Sequence, residues 1–145
     1  MGPGPNQSKP SGALPIVSAV LAPCVSRKTV RPSREASAVS LTVASQTRVE
    51  TEWLARLRTL ERVVAARRLY AGRAFGLARD IADAAGASLY VISAGLGMVH
   101  SDTKVPAYGA TVARRGAESV VARVRGDFDP VFWWRAVSRG PLSVP

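Results

Sequence analysis

Leu89-Tyr90-Val91-Ile92 is an unbroken apolar run held between Ser88 and Ser93, with the glycine-containing stretch Ala94-Gly95-Leu96-Gly97 directly behind it. Four consecutive apolar residues, two of them β-branched and one aromatic, are too few for a buried helix and are bounded by turn formers. The run predicts a strand over Ser88–Ser93 that is central in its sheet and covered on both faces. A second apolar run at 16–21 stops ahead of Pro23 and predicts a first strand, with 22–28 as the loop at its carboxyl end. Between the two, Trp53, Leu54, Leu57, Leu60, Val63 and Val64 recur at helical spacing, with Glu50 and Glu52 expected in the first turn. A second helix is expected over 66–85, with Leu69, Phe75, Leu77, Ile81 and Ala85 on its apolar side and Gly86 as its stop.

Strand, helix, strand in that order implies a parallel βαβ crossover. The expected fold class is α/β: a small three-layer fold with a mainly parallel sheet. Residues 1–13 read as a disordered leader rich in Pro, Gly and Ser, and 14–145 as a single domain. A loose insertion is expected at 29–47, with 38–44 as an edge strand. Residues 94–111 read as one long loop and 117–124 as a short helix or strand. Asp129-Pro130 reads as an N-cap and first-turn proline opening a helix to Val137, ended by Gly140-Pro141. No internal repeat is seen.

A chain of 145 residues that is 47% hydrophobic has material for one core. No apolar run approaches the roughly 18 residues that cross a bilayer, and the leader lacks the basic-then-apolar pattern of a secretory signal. No membrane contact and a cytoplasmic location are expected. Cys24 is the only cysteine and His100 the only histidine. This excludes an intrachain disulfide and a His- or Cys-rich metal site, and no metal or cofactor is expected. Twenty Lys and Arg against ten Asp and Glu give a net charge of +10, which favours a polyanionic partner. Arginine supplies seventeen of those cations and is spread along the chain, so a uniformly basic surface competes with a functional groove.

The loops at the carboxyl ends of parallel strands are where ligands collect in open α/β sheets. In the first of them, Arg27 and Lys28 offer charge to a phosphate, Ser26 a hydrogen bond, and Cys24 a thiol; a buried thiol beside a solvated basic loop is the competing reading. In the second, Ser93, Gly95 and Gly97 offer backbone N–H groups to a phosphate or a base edge, against the alternative of a tight packed turn. The stretch is neither GxGxxG nor a P-loop. Arg67 and Tyr70 open the second helix and could reach the same place, while Tyr108 closes the second loop. His100 and Asp102 form a possible acid–base pair. Among the adjacent Phe132, Trp133 and Trp134, one tryptophan is expected to pack inward and the other to face an interface or a base.

In order, the chain shows Cys24-x-Ser26-x-Lys28, Ala66-Arg67-Arg68-Leu69-Tyr70-x-Gly72, Ile92-Ser93-Ala94, Gly97-Met98, Pro106-x-Tyr108 and Thr111. This order resembles the YaaA-like superfamily over about residues 16–112. Gly95-Leu96 stands where that pattern commonly has Lys-Tyr, and Gly109 where it has Asp. The resemblance implies a nucleic-acid-associated or nucleotide-binding protein, with DNA, RNA or a nucleotide between the two loops. Lys28 and Arg67 would then hold phosphate and Tyr108 would wall the pocket. An alternative expectation is an enzyme acting on a nucleobase or glycosidic bond through Cys24, His100 and Asp102. A third expectation is a catalytically inactive interaction module using the Trp133-Trp134 segment.

Overall fold

The computed structural model describes residues 2, 4 and 16–145, so the leader expected at 1–13 falls, apart from Gly2 and Gly4, outside the described residues. In chain order the elements are β1 (Ala19–Pro23), a 3-10 turn at Ala38–Ser40, α1 (Gln46–Thr59), β2 (Val64–Ala65), α2 (Ala66–Leu69), α3 (Arg73–Ala85), β3 (Ser88–Ser93), β4 (Gly97–His100), β5 (Lys104–Val105), a 3-10 turn at Val121–Arg123 and α4 (Pro130–Ser138). β1 and β3 pair in parallel, with Ala22 opposite Val91, and the chain between them crosses over through α3. β3 and β4 pair antiparallel, with Val91 opposite Val99. The sheet therefore runs β1-β3-β4, and a separate two-stranded ribbon joins β2 to β5.

The protein is mixed α/β as expected, but its sheet is small and mixed rather than mainly parallel. The reason lies in the segment expected as one long loop at 94–111. It turns back within three residues of β3, so the next strand must be antiparallel. The three-layer expectation fails for a related reason. Ala22, Leu89, Val91 and Val99 are buried, while Leu21, Tyr90, Ile92 and Met98, which alternate with them, are partly or well exposed. β3 is central, but its unbroken apolar run is covered on one face only.

Other departures have local causes. α1 begins at Gln46, which places Glu50 and Glu52 beyond its first turn; there Glu52 pairs with Arg56 at 2.7 Å, four residues on. Leu60 caps α1, and Val63 and Val64 leave the helix to pair with Val105. The expected helix over 66–85 breaks at Tyr70–Gly72. Ala71 donates its N–H to Arg27 O and Thr29 donates to Leu69 O, so these backbone groups serve the first loop instead of a helix, and Gly72 takes φ +113°. The insertion at 29–47 is ordered over its second half. Ala36, Ala38 and Leu41 are buried, and Ala36 and Ala38 exchange backbone bonds with Gly109. The 38–44 stretch forms a 3-10 turn, leaving only Ala44 bridged to Val124. The first strand lies over Ala19–Pro23 rather than 16–21. The 117–124 stretch yields a 3-10 turn between isolated bridges at Ser119 and Val124.

The core is closed by α1 and α4, which pack together and bury Trp53, Leu57, Trp133 and Val137 in it. Gly86 ends α3 in the left-handed conformation, as expected of a C-terminal stop. Asp129 caps α4, accepting from Val131 and Phe132 N–H through Oδ1 at 2.8 and 3.2 Å. Its backbone is also clasped by Gln46, which donates to Asp129 O and accepts from Asp129 N–H, both at 2.8 Å. Asp129→Ala removes the carboxylate but not the clasp. It is expected to cost about 1 kcal/mol, the ordinary worth of an N-cap, read as a lowered midpoint in thermal denaturation with the helical circular dichroism signal retained.

Candidate functional site

The carboxyl ends of β1 and β3 lie side by side, and the backbone continues the pairing one residue further, with Cys24 N–H donating to Ile92 O at 2.9 Å. Five of the residues singled out by sequence converge around this point: Cys24, Lys28, Tyr70, Ser93 and Tyr108. Tyr70 and Lys28 face each other across an isolated antiparallel bridge. Tyr70 Oη and Tyr108 Oη are 2.6 Å apart, and Tyr108 Oη is 2.5 Å from Ser93 Oγ, all of them buried. The Lys28 ammonium stands 4.6 Å from the centre of the Tyr108 ring, in cation–π geometry.

Hydrogen-bond accounting fixes part of this chain. Ser93 Oγ accepts from Gly95 N–H at 3.2 Å and from Leu96 N–H at 3.0 Å, which uses both its lone pairs. Its own proton is therefore donated to Tyr108 Oη. Three hydroxyl protons then serve two hydroxyl–hydroxyl contacts, so one phenol at Tyr70 or Tyr108 keeps a proton to offer elsewhere. Burial raises the pKa of both phenols, so they stay neutral donors across the physiological range. Burial also lowers the pKa of Lys28, and the charges of Glu118 and Cys24 only partly oppose that effect. Among the described residues Lys28 has no carboxylate within ion-pair distance.

Ser26 is exposed on the outer part of the same loop. The glycines follow the tight-turn alternative. The N–H groups of Gly95 and Leu96 are taken by Ser93, and the carbonyls of Ala94 and Gly95 accept the indole N–H groups of Trp133 and Trp53 at 2.8 and 2.7 Å. The loop is a pinned turn rather than a free cradle. A Cβ on Gly95 would fall 2.8 Å from the Tyr108 ring. Gly97 has φ +84° and lies against Val137 O and Ser143, so it serves the hairpin. At Gly109, where the resemblance has an aspartate, a Cβ would collide with the Glu118 carboxylate. Glu118 thus brings a carboxylate against Gly109 from a distant part of the chain, which sequence reading missed because nothing local marks it.

Arg67 does not join the strand-end cluster. Its guanidinium bonds Asp83 at 2.8 and 3.1 Å and approaches Asp102 at 3.8 Å. His100 Nδ1 accepts from Asp102 N–H at 3.1 Å, and its ring stands edge-on to Tyr90. His100 lies opposite Tyr90 on β4, whereas Cys24 follows β1 on the other side of β3 and bonds to Ile92 O; two strand spacings of about 4.8 Å and two residues of about 3.3 Å put them more than roughly 10 Å apart. The three residues of the enzymatic expectation are thus not assembled. Among the described residues, no group of three or more His, Cys, Asp or Glu is placed to hold a metal, and no helix is long and apolar enough to cross a membrane.

A second feature lies beyond Arg67. Arg68 from α2, Arg79 from α3 and Lys104 from β5 line an open groove of about 700 Å³, floored by Val63, Val64 and Ala65. Asp102 is its one lining acid, and it faces Arg67. Arg79 is held to the wall by donating to Arg67 O at 3.5 Å. Among the described residues, Arg68, Arg79 and Lys104 have no carboxylate within ion-pair distance.

A family model described as a family of unknown function (DUF6884) matches residues 57–125. No curated protein and no solved structure matches the chain. The matched span holds Tyr70, Ser93, Tyr108, Glu118 and the groove cations, and begins after Cys24 and Lys28.

Ser93→Ala strands two buried N–H groups and removes the donor to Tyr108. At about 1–3 kcal/mol for each unsatisfied group, a loss of roughly 3 kcal/mol is expected in urea denaturation; a loss well under about 1 kcal/mol would refute the accounting. Alkaline pH supplies a second check. The raised phenol pKa values mean that above pH 10.0, the ordinary value, the unfolded chain releases protons that the folded chain keeps. Stability therefore falls as pH rises past that point, by about 1.4 kcal/mol per pH unit for each phenol. Lys28, with its lowered value, acts in the opposite sense only between its folded pKa and 10.5. Denaturation across this range, with phenolate absorbance followed in parallel, should show two tyrosines ionising only as the chain unfolds.

Proposed function

We propose that the protein is a nucleic-acid-associated or nucleotide-binding α/β protein whose ligand phosphates lie along the groove of Arg68, Arg79 and Lys104. The groove carries this reading: three cations from three elements converge with no carboxylate left to neutralise them. A concave basic surface over an apolar floor focuses potential in a way that scattered surface arginines do not. No aromatic ring lines the groove, which favours contact with phosphates over stacking on bases and hence tolerance of sequence. Lys28 supports the reading independently. Its ammonium is desolvated without an ion-pair partner, so an anion at the strand ends would relieve the cost. The resemblance to YaaA-like proteins points to the same class of ligand, DNA, RNA or a nucleotide.

Binding of a fluorescent oligonucleotide, titrated with salt, tests the reading. Affinity is expected to fall steeply with salt. A chain with Arg68→Gln, Arg79→Gln and Lys104→Gln should show a salt slope smaller by about 2 to 3, at about 0.7–0.9 for each lost phosphate contact. A charge-matched control with Arg58→Gln, Arg115→Gln and Arg139→Gln, all exposed in the structure, should keep nearly the full slope. Equal losses in the two triple variants would mean that net charge alone does the binding. Absence of binding to DNA, RNA or nucleotides at low salt would end the proposal.

A further inference from the structure

The one acid lining the basic groove has two neighbours. Asp102 turns Oδ1 toward Arg67 Nη1 at 3.8 Å and Oδ2 toward His100 Nδ1 at 4.0 Å. A hollow of about 160 Å³, lined by Arg67, Asp83, His100 and Asp102 among others, adjoins the groove and shares Arg67 and Asp102 with it. Among the described residues, four charged or titratable groups surround the imidazole. Tyr90 stands edge-on to it across the β3–β4 ladder, Arg67 comes from α2, Asp83 from α3, and Asp102 from the turn after β4.

One bond fixes the protonation state of the ring. Asp102 N–H donates to His100 Nδ1 at 3.1 Å, so that nitrogen carries no proton and the imidazole is neutral. The groove wall then sets one cation, Arg67, against two carboxylates, Asp83 and Asp102. Its net negative charge opposes the pull of Arg68, Arg79 and Lys104 on an anion. A proton on Nδ1 reverses the local bonding. The nitrogen becomes a donor, Asp102 N–H loses its acceptor, and the Asp102 carboxylate is the acceptor already in place on that side of the ring. Arg67 keeps its bonds to Asp83 at 2.8 and 3.1 Å, imidazolium takes Asp102, and the wall becomes neutral.

We propose that His100 is a proton-operated control on the groove: uptake of one proton at Nδ1 draws Asp102 from Arg67, and the groove then holds polyanions more tightly. This rests on the groove reading above and adds its regulation. His100 is the only histidine in the chain, and imidazole is the side chain whose ordinary titration falls between about pH 5 and 8. By reciprocity, a bound polyanion holds the His100 proton more firmly. Exposure limits the size of the effect. The Asp102 side chain is 69% exposed and the His100 side chain 34%, so water screens the exchange and the gain in affinity is about twofold to threefold.

Two measurements test the control, the first without ligand. In NMR titration of the free protein, the His100 ring and the Asp102 backbone amide should shift together through a single proton uptake. Asp102→Asn should move that midpoint to lower pH, and an unmoved midpoint would show that the carboxylate does not receive the imidazolium. The second is binding of an oligothymidylate, which does not itself titrate in this range, carrying a pH-insensitive dye at low salt. Wild-type affinity should rise about twofold to threefold as pH falls from about 8 to about 5.5. His100→Gln keeps a side-chain acceptor for Asp102 N–H but takes up no proton, and its affinity should stay at the wild-type alkaline level throughout. Wild-type binding indifferent to pH, or a rise that survives His100→Gln, would overturn the control and leave the groove reading standing. Absence of binding at every pH would remove both.

Discussion

The hydroxyl of Ser93 is the constraint on which the strand ends depend. Placed at the last position of β3 and buried, it has to satisfy every lone pair and its proton inside the protein. It does so by holding Gly95 and Leu96 N–H groups on one side and Tyr108 on the other. The turn after β3 is tight because those two amides must reach the same oxygen, and the tight turn is what sends β4 back antiparallel. Tyr108 then settles against Gly95, leaving no room for a Cβ there, and positions the ring beneath Lys28. A chain with lysine at 95 would need a different placement of that ring, so Gly95 and Tyr108 are best understood as one choice made twice.

Much of this was legible from the residues, and the limits have physical causes. β3, the inward packing of one of the two adjacent tryptophans, the Asp129 cap and the Gly86 stop were readable because each depends on neighbours within a few positions. Five strand-end residues could be gathered from topology, since parallel strands bring their carboxyl ends together. What escaped depends on contacts distant in sequence. The break at Tyr70–Gly72 exists because residues 27–29 compete for its backbone groups, a competition invisible in a periodicity that continues through it. β5 and β2 are two residues each and stable only as each other's partner. The withdrawal of Arg67 needed the knowledge that Asp83, sixteen positions away, sits one turn from the end of a helix folded back over it.

The charge of the molecule is organised by the same logic. Arg67 is bound by two acids at one wall of the groove, and that arrangement leaves the other cations of the groove without partners. Of an excess that looked uniform along the sequence, the fold brings Arg68, Arg79 and Lys104 together where α2, α3 and β5 meet.

The two indole bonds to the turn after β3 have a consequence for observing the protein at work. Trp53 and Trp133 each donate to a carbonyl of that turn, and they are two of the three tryptophans in the chain. Indole emission depends on the polarity and hydrogen bonding around its nitrogen, so a displacement of Ala94 or Gly95 changes the surroundings of two of the chain's three indoles at once. The protein thus carries its own optical gauge for the strand ends: a movement of that turn can be followed by emission wavelength in unlabelled protein.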